Sequence, residues 1–235
     1  MYKVLAITCH PDDMEITCGG TLVKCVKRGD EVTLCHVANG NMGHMEIMPK
    51  ELGEIRKGEA KKAGELGGFK VVTCDIGDLM VEAADREQHD KLVKVIRDAD
   101  PDFIITHAPN DYMLDHVAVS KLVFNASFSA TVPHYREDLG KACKVVPIFY
   151  VDNSSLLGTQ PTEYVDITDE FDTKIKMLEC HQSQLVWLQD HDGSDIVEAT
   201  KIFAAFRGYQ SGVKYAEGFT QCLTDHRIVT KRLLP

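Results

Sequence analysis

The chain has 235 residues, 44% of them hydrophobic and 26% charged, with a formal net charge of −10. That length suits one large domain able to bury a core, and the whole span 1–235 reads as a single domain without linker or repeat. The acidic balance excludes a nucleic-acid binder, which needs clustered positive charge, and an anionic membrane surface as main partner. No apolar run approaches the roughly 18–20 residues that span a bilayer. The eight cysteines are scattered without a CxxC pair, so they read as reduced, buried thiols of a cytoplasmic protein.

In chain order, Lys3–Cys9 is a near-continuous apolar run and predicts a first strand; it is followed by His10-Pro11-Asp12-Asp13, which is wrong for a secretory signal. Gly19–Arg28 has helical spacing and stops at Gly29. Glu31–Ala38 predicts a second strand, and Asn39–Gly43 a loop. Lys50–Leu66 is a charged amphipathic helix closed by Gly67-Gly68. Lys70–Asp75, Phe103–Thr106 and Val145–Val151 predict three further strands. Gln88–Asp98 and His116–Ser127 predict helices between them. Glu170–Leu188 and Ile196–Tyr209 look helical, and Phe219–Leu223 fits a strand.

Apolar strands separated by helices imply an α/β fold: a Rossmann-like, doubly wound, mostly parallel sheet with helices on both faces. In such a sheet ligands bind beyond the carboxyl ends of the strands. Two polar clusters fall there, His10-Pro11-Asp12-Asp13-Met14-Glu15 and the segment from His107 to His116. The first and fourth strands should be neighbours, which would bring the two together. No GxGxxG follows the first strand, so a dinucleotide is not expected.

His and Asp side chains suit a catalytic zinc, which takes three protein ligands and keeps a place for water. A further carboxylate must then accept a proton. His10, Asp12 and Asp13 offer an imidazole and two carboxylates within four residues. The plainer alternative is a turn whose acids cap the next helix.

Thr8-Cys9-His10-Pro11-Asp12-Asp13-Met14-Glu15 and Cys18-Gly19-Gly20-Thr21 resemble the signature of the LmbE/PIG-L deacetylases. That family of metal-dependent enzymes includes the de-N-acetylase of GlcNAc-phosphatidylinositol and deacetylases of mycothiol and bacillithiol synthesis. The resemblance runs over residues 3–125, with later echoes in His181-Gln182-Ser183-Gln184 and Tyr215-Ala216-Glu217-Gly218-Phe219. It implies that His10, Asp13 and His116 hold one divalent metal, zinc first among the candidates. It also implies that Asp12 is the general base, that Asp115 is a support neighbouring His116, and that Arg56 and Asp78 contact polar groups of the substrate. The implied reaction is hydrolysis of an N-acyl, first of all N-acetyl, amide on a small amino-sugar derivative by water activated at the metal. A non-sugar amide, and a metal-binding protein without turnover, are the alternatives. Homo-oligomers are compatible with such a chain, but no segment specifies an interface.

One departure stands out. The second family motif commonly reads His-Pro-Asp-His, whereas here it is Met113-Leu114-Asp115-His116. Met can neither stabilise an oxyanion nor donate a proton. His44, His107, His181 and His191 are the candidates to fill that space. His107 also reads as a satisfied loop histidine, Gly40–His44 as a loop at the mouth of the site, and Trp187, Phe203 and Phe206 as core or interface. Gly19-Gly20 suits close approach of the helix start to the metal loop.

Overall fold

In the computed structural model, which describes residues 1–156 and 158–235, seven strands form one sheet in the order β3-β2-β1-β4-β5-β7-β6. They are β1 (Lys3–Thr8), β2 (Glu31–Ala38), β3 (Lys70–Ile76), β4 (Phe103–Thr106), β5 (Ile148–Val151), β6 (Glu163–Asp166) and β7 (Ala216–Gln221). The first five run parallel, and β1 pairs directly with β4. The last two join antiparallel, β7 against β5 and β6 against β7. The fold is therefore α/β with a mostly parallel sheet, as the apolar strand pattern implies.

Among the described residues eight α-helices complete it: α1 (Asp13–Thr17), α2 (Gly19–Lys27), α3 (Pro49–Gly67), α4 (Arg86–Ala99), α5 (Leu114–Ser129), α6 (Phe171–Leu178), α7 (Gln182–Asp192) and α8 (Ile196–Ser211). Strand β1 is buried at five of its six positions because both faces are covered. One core layer packs Leu22, Phe103, Phe149 and Phe219 on one face, and a second packs Leu5, Ile7, Leu92 and Ile104 on the other. No helix among the described residues is long and apolar enough to cross a membrane.

Several expectations need correction. The segment Glu170–Leu188 is not one helix but two, α6 and α7. The chain turns at Cys180 and His181, whose N–H groups bond back to Met177 and Leu178. The turn sets His181, fully buried, 3.1 Å from Glu15. Strand β6 was not expected, since its four residues, Glu163-Tyr164-Val165-Asp166, lie at the sheet edge with only Val165 buried and show no polar–apolar period. Strand β7 begins at Ala216 rather than Phe219. Gly20 serves close packing, but against Ile167 rather than the metal loop: a Cβ there would meet that side chain at 2.8 Å.

A buried carboxylate ties the C-terminal strands to α2. Glu217 on β7 accepts the N–H groups of Gly20 (2.9 Å) and Thr21 (2.7 Å), and Lys174 donates to it at 2.6 Å. A carboxylate at the free N–H groups of a helix start satisfies donors that have no partner within the helix.

Candidate metal centre and active site

The turn after β1 leaves the sheet at its carboxyl end and brings His10, Asp12 and Asp13 to one cavity. Asp12 occupies the cap position of α1 but makes no side-chain cap bond, so capping does not account for it. Its backbone φ is +115°, a conformation costly for a residue with a Cβ. Such strain persists only where the surroundings enforce it. Here Arg56 does so: it is 2% exposed and donates to the carbonyls of Pro11 (2.5 Å) and Gly40 (2.9 Å). Gly40, at φ +65°, lets the guanidinium through, because a Cβ there would lie 2.1 Å from Arg56 Nη1.

Asp13 is the hub. Its carboxylate accepts the His10 N–H at 2.6 Å and lies 3.4 Å from His10 Nδ1. It is 3.3 Å from His107 Nε2 and 3.3 Å from His116 Nε2. Burial alone would push the Asp13 carboxyl up, but His116, His10 and His107 hold it well below the usual carboxylate range. Loop and helix after β4 supply two of these rings, as the pairing of β1 with β4 predicts.

The two expected histidine ligands are each backed by a second carboxylate. His10 Nε2 meets Asp78 at 2.9 Å, and His116 Nδ1 meets Asp111 at 3.2 Å. This is the arrangement that fixes ring orientation in metal sites. It leaves His10 Nδ1 facing Asp13, and His116 Nε2 buried without a hydrogen-bond partner. An orphaned buried nitrogen beside a carboxylate calls for a partner such as a water or an ion.

Candidate donor atoms lie within 4.8 Å of one another in three groups: Asp13, His107 and His116; Cys9, His10 and Asp13; His10, Asp78 and Asp115. Chemistry narrows them. His107 Nε2 already accepts the Cys9 N–H at 2.9 Å, so its lone pair is committed. Burial pushes the Cys9 thiol up to about 12, so its thiolate is not ready to bind. His10 and His116 belong to different groups that share Asp13; both retain donors, and two imidazoles with a carboxylate are ligand types that suit a catalytic divalent metal.

The remaining expected residues also come to this place. Asp115 accepts the Leu79 N–H at 2.9 Å and lies 3.6 Å from His10 Nε2. Arg56 and Asp78, expected to contact substrate, line the cavity, but their hydrogen bonds go to Pro11, Gly40 and His10. Arg56 lies 3.5 Å from Asp12. Burial raises the Asp12 carboxyl to about 6, against the pull of Arg56.

Among the four histidines considered in place of Met113, His107 is committed to Cys9. His181 lies fully buried against Glu15 at 3.1 Å, and His44 accepts two N–H groups of its own loop. Only His191 of these three remaining candidates lines the cavity, stacked on Trp187. Trp187 itself is on the cavity wall rather than in the core. Sequence reasoning also missed Asp111, Tyr112 and the segment Asp152–Ser154, all lining this cavity of about 550 Å³. Asp111 stands in the polar cluster before His116 and could have been found as the Asx turn that accepts the Met113 N–H at 3.0 Å. Asp152–Ser154 follow β5, again at a carboxyl end.

The chain is similar to known deacetylases over most of its length. Residues 5–127 match the family described as PIG-L: GlcNAc-PI de-N-acetylase. Diacetylchitobiose deacetylase of Thermococcus kodakarensis is 30% identical over 229 residues, covering 92% of this chain and 81% of that protein. A 1D-myo-inositol 2-acetamido-2-deoxy-alpha-D-glucopyranoside deacetylase of a Nocardioides species is 30% identical over 63% of this chain and 61% of its own length. The crystal structure of N,N'-diacetylchitobiose deacetylase from Pyrococcus horikoshii, in complex with an inhibitor, superposes with a TM-score of 0.82. It is 26% identical and covers 94% of this chain and 84% of that one.

Proposed function

Because the chain belongs to the PIG-L family of GlcNAc-PI de-N-acetylases, we propose that it hydrolyses the N-acetyl group of a small amino-sugar derivative, using one zinc ion held by His10, Asp13 and His116. The observation that carries this reading is the convergence of two buried imidazoles on one buried carboxylate, His10 Nδ1 at 3.4 Å and His116 Nε2 at 3.3 Å from Asp13. A divalent metal bound there supplies Lewis acidity, polarising an amide carbonyl and lowering the pKa of water.

The chain's own residues do the rest. Asp12, uncapped and held by Arg56 against the floor of the cavity, accepts a proton from the attacking water. A carboxyl titrating at about 6 is ionised at neutral pH and still basic enough for that task. The C–N bond then breaks, and Asp12 returns the proton to the leaving amine, giving acetate and the free amino sugar. This return makes a separate acid at position 113 unnecessary. Asp78 and Asp111 keep the two imidazoles oriented, and Asp115 fixes the Leu79 turn beside His10.

The test is acetate release from a panel of N-acetylated amino sugars by metal-loaded protein, repeated after chelation and after return of Zn²⁺, Fe²⁺, Mn²⁺ or Co²⁺. Chelator-sensitive release restored best by zinc supports the reading. Metal binding without release from any sugar or non-sugar amide would replace it with a metal-retaining protein without turnover.

A further inference from the structure

An unsubstituted amino sugar presents hydroxyls on every edge and calls for hydrogen-bonding groups around it. The floor of the cavity has such groups, but much of its wall is apolar. Leu79, Tyr112 and Leu114 line it while 71%, 66% and 83% exposed. Trp187, Leu188 and Ile196, from α7 and α8, line the same cavity. Large apolar side chains this exposed, gathered around one cavity, mark a binding surface rather than scattered surface residues.

The polar site itself sets the positions of these residues. Leu79 follows Asp78, and its N–H is held by Asp115. Leu114 precedes Asp115 in the first turn of α5. The apolar wall thus begins one residue away from the groups around His10. Trp187 is fixed too. It stacks on His191 with ring centroids 4.2 Å apart and planes at 28°, and the loop at Gly43 packs close to its indole edge. A held aromatic ring is a platform for a flat apolar group. Met113, where the family motif has a polar imidazole, extends the same apolar character.

We propose that the substrate is amphipathic: an N-acetylated amino sugar whose anomeric substituent is an aryl or alkyl group seated on Trp187, Leu114 and Leu79. This rests on reading the site as an N-deacetylase. The test compares phenyl 2-acetamido-2-deoxy-β-glucopyranoside with N-acetylglucosamine as substrates of the metal-loaded protein. The phenyl glycoside should have a kcat/KM about tenfold or more higher, the scale expected when an aromatic ring leaves water. That ratio should fall toward one in Trp187→Ala and in Leu114→Ser, the second a surface change that leaves the core intact. Equal values for the two sugars, or a ratio untouched by both substitutions, overturns the proposal. Calorimetry on metal-loaded Asp12→Asn reads binding apart from turnover. Tighter binding of the phenyl glycoside, lost in the Trp187→Ala background, supports the apolar wall even if neither sugar is hydrolysed, in which case only the deacetylase reading fails. Equal affinities, or no binding of either sugar, overturns it.

Discussion

His10 reaches Asp78 at 2.9 Å through Nε2, and so turns its other nitrogen, Nδ1, toward Asp13. Asp78 lies on the turn after β3 and His10 on the turn after β1, so two carboxyl-end loops share one imidazole. Removing the carboxylate frees the ring to rotate. Asp78→Ala should weaken metal binding by roughly 10–100-fold, the usual cost of losing such a partner. Asp78→Asn, which can still accept a hydrogen bond, should recover part of it. Metal titration of the two variants checks this, and wild-type affinity in Asp78→Ala would remove Asp78 from the support of the site.

Asp12 is separable from the metal ligands. Its side chain caps nothing and bonds no ligand ring, so Asp12→Asn should keep one metal per chain and a melting temperature near wild type. Loss of the proton acceptor should lower kcat by about 10²–10⁴-fold with little change in KM. Elemental analysis together with steady-state kinetics decides it. Full activity in a metal-loaded Asp12→Asn protein would give the proton transfer to another group.

How far the sequence discloses this site follows from where its groups sit. His10 and Asp13 are legible because the carboxyl ends of parallel strands are local features, and apolar runs as clean as Lys3–Thr8 reveal those ends; His116, inside α5, is singled out only by the resemblance to the second family motif. Arg56 is a different case. Within a charged helix its spacing is that of a solvated residue, and only the tertiary approach of Gly40 and Pro11 makes it a buried strut. The Glu15–His181 pair joins residues 166 positions apart in the chain and leaves no local pattern. Strand β6, four residues at a sheet edge, has too little burial to imprint a period.

Arg56 and Gly40 act as one unit. Gly40→Ala places a methyl group where the guanidinium passes, at a backbone conformation that disfavours any side chain. Arg56→Met leaves the Pro11 and Gly40 carbonyls without their donor. Each should cost on the order of 1–3 kcal/mol. Because both disrupt the same contact, the double variant should cost clearly less than the sum. Chemical denaturation of the four proteins gives the cycle, and strict additivity would show that the two residues are not coupled.

The Glu217–Lys174 pair predicts stability effects remote from the metal. Both side chains are almost fully buried, and Glu217 also holds the start of α2. Glu217→Leu strands a buried ammonium and should cost about 3–5 kcal/mol. Adding Lys174→Met removes the stranded charge and should restore part of the loss. Thermal melts with metal content measured in parallel separate this from the active site. A double variant less stable than Glu217→Leu would contradict the account.

Metal uptake should release protons, and the sign follows from His116. Burial pulls this imidazole down, but Asp13 and the Asp111 contact outweigh it and place it at about 9 in the metal-free protein. At pH 7 the metal-free ring is therefore protonated, whereas a ligand nitrogen must be neutral. Binding then expels that proton, so affinity should fall as pH drops from 9 toward 6. Proton release from His116 should fade as pH rises above about 9, where the free ring is already neutral. Calorimetry at pH 7 in buffers of different ionisation enthalpy should show a binding enthalpy that varies with the buffer. Asp111→Asn weakens the support for the charged ring, so it should lower the pH at which release fades, while also loosening the ring's orientation. Buffer-independent enthalpy at pH 7 would mean that His116 is neutral before metal arrives, and that Asp13 and Asp111 do not govern its charge.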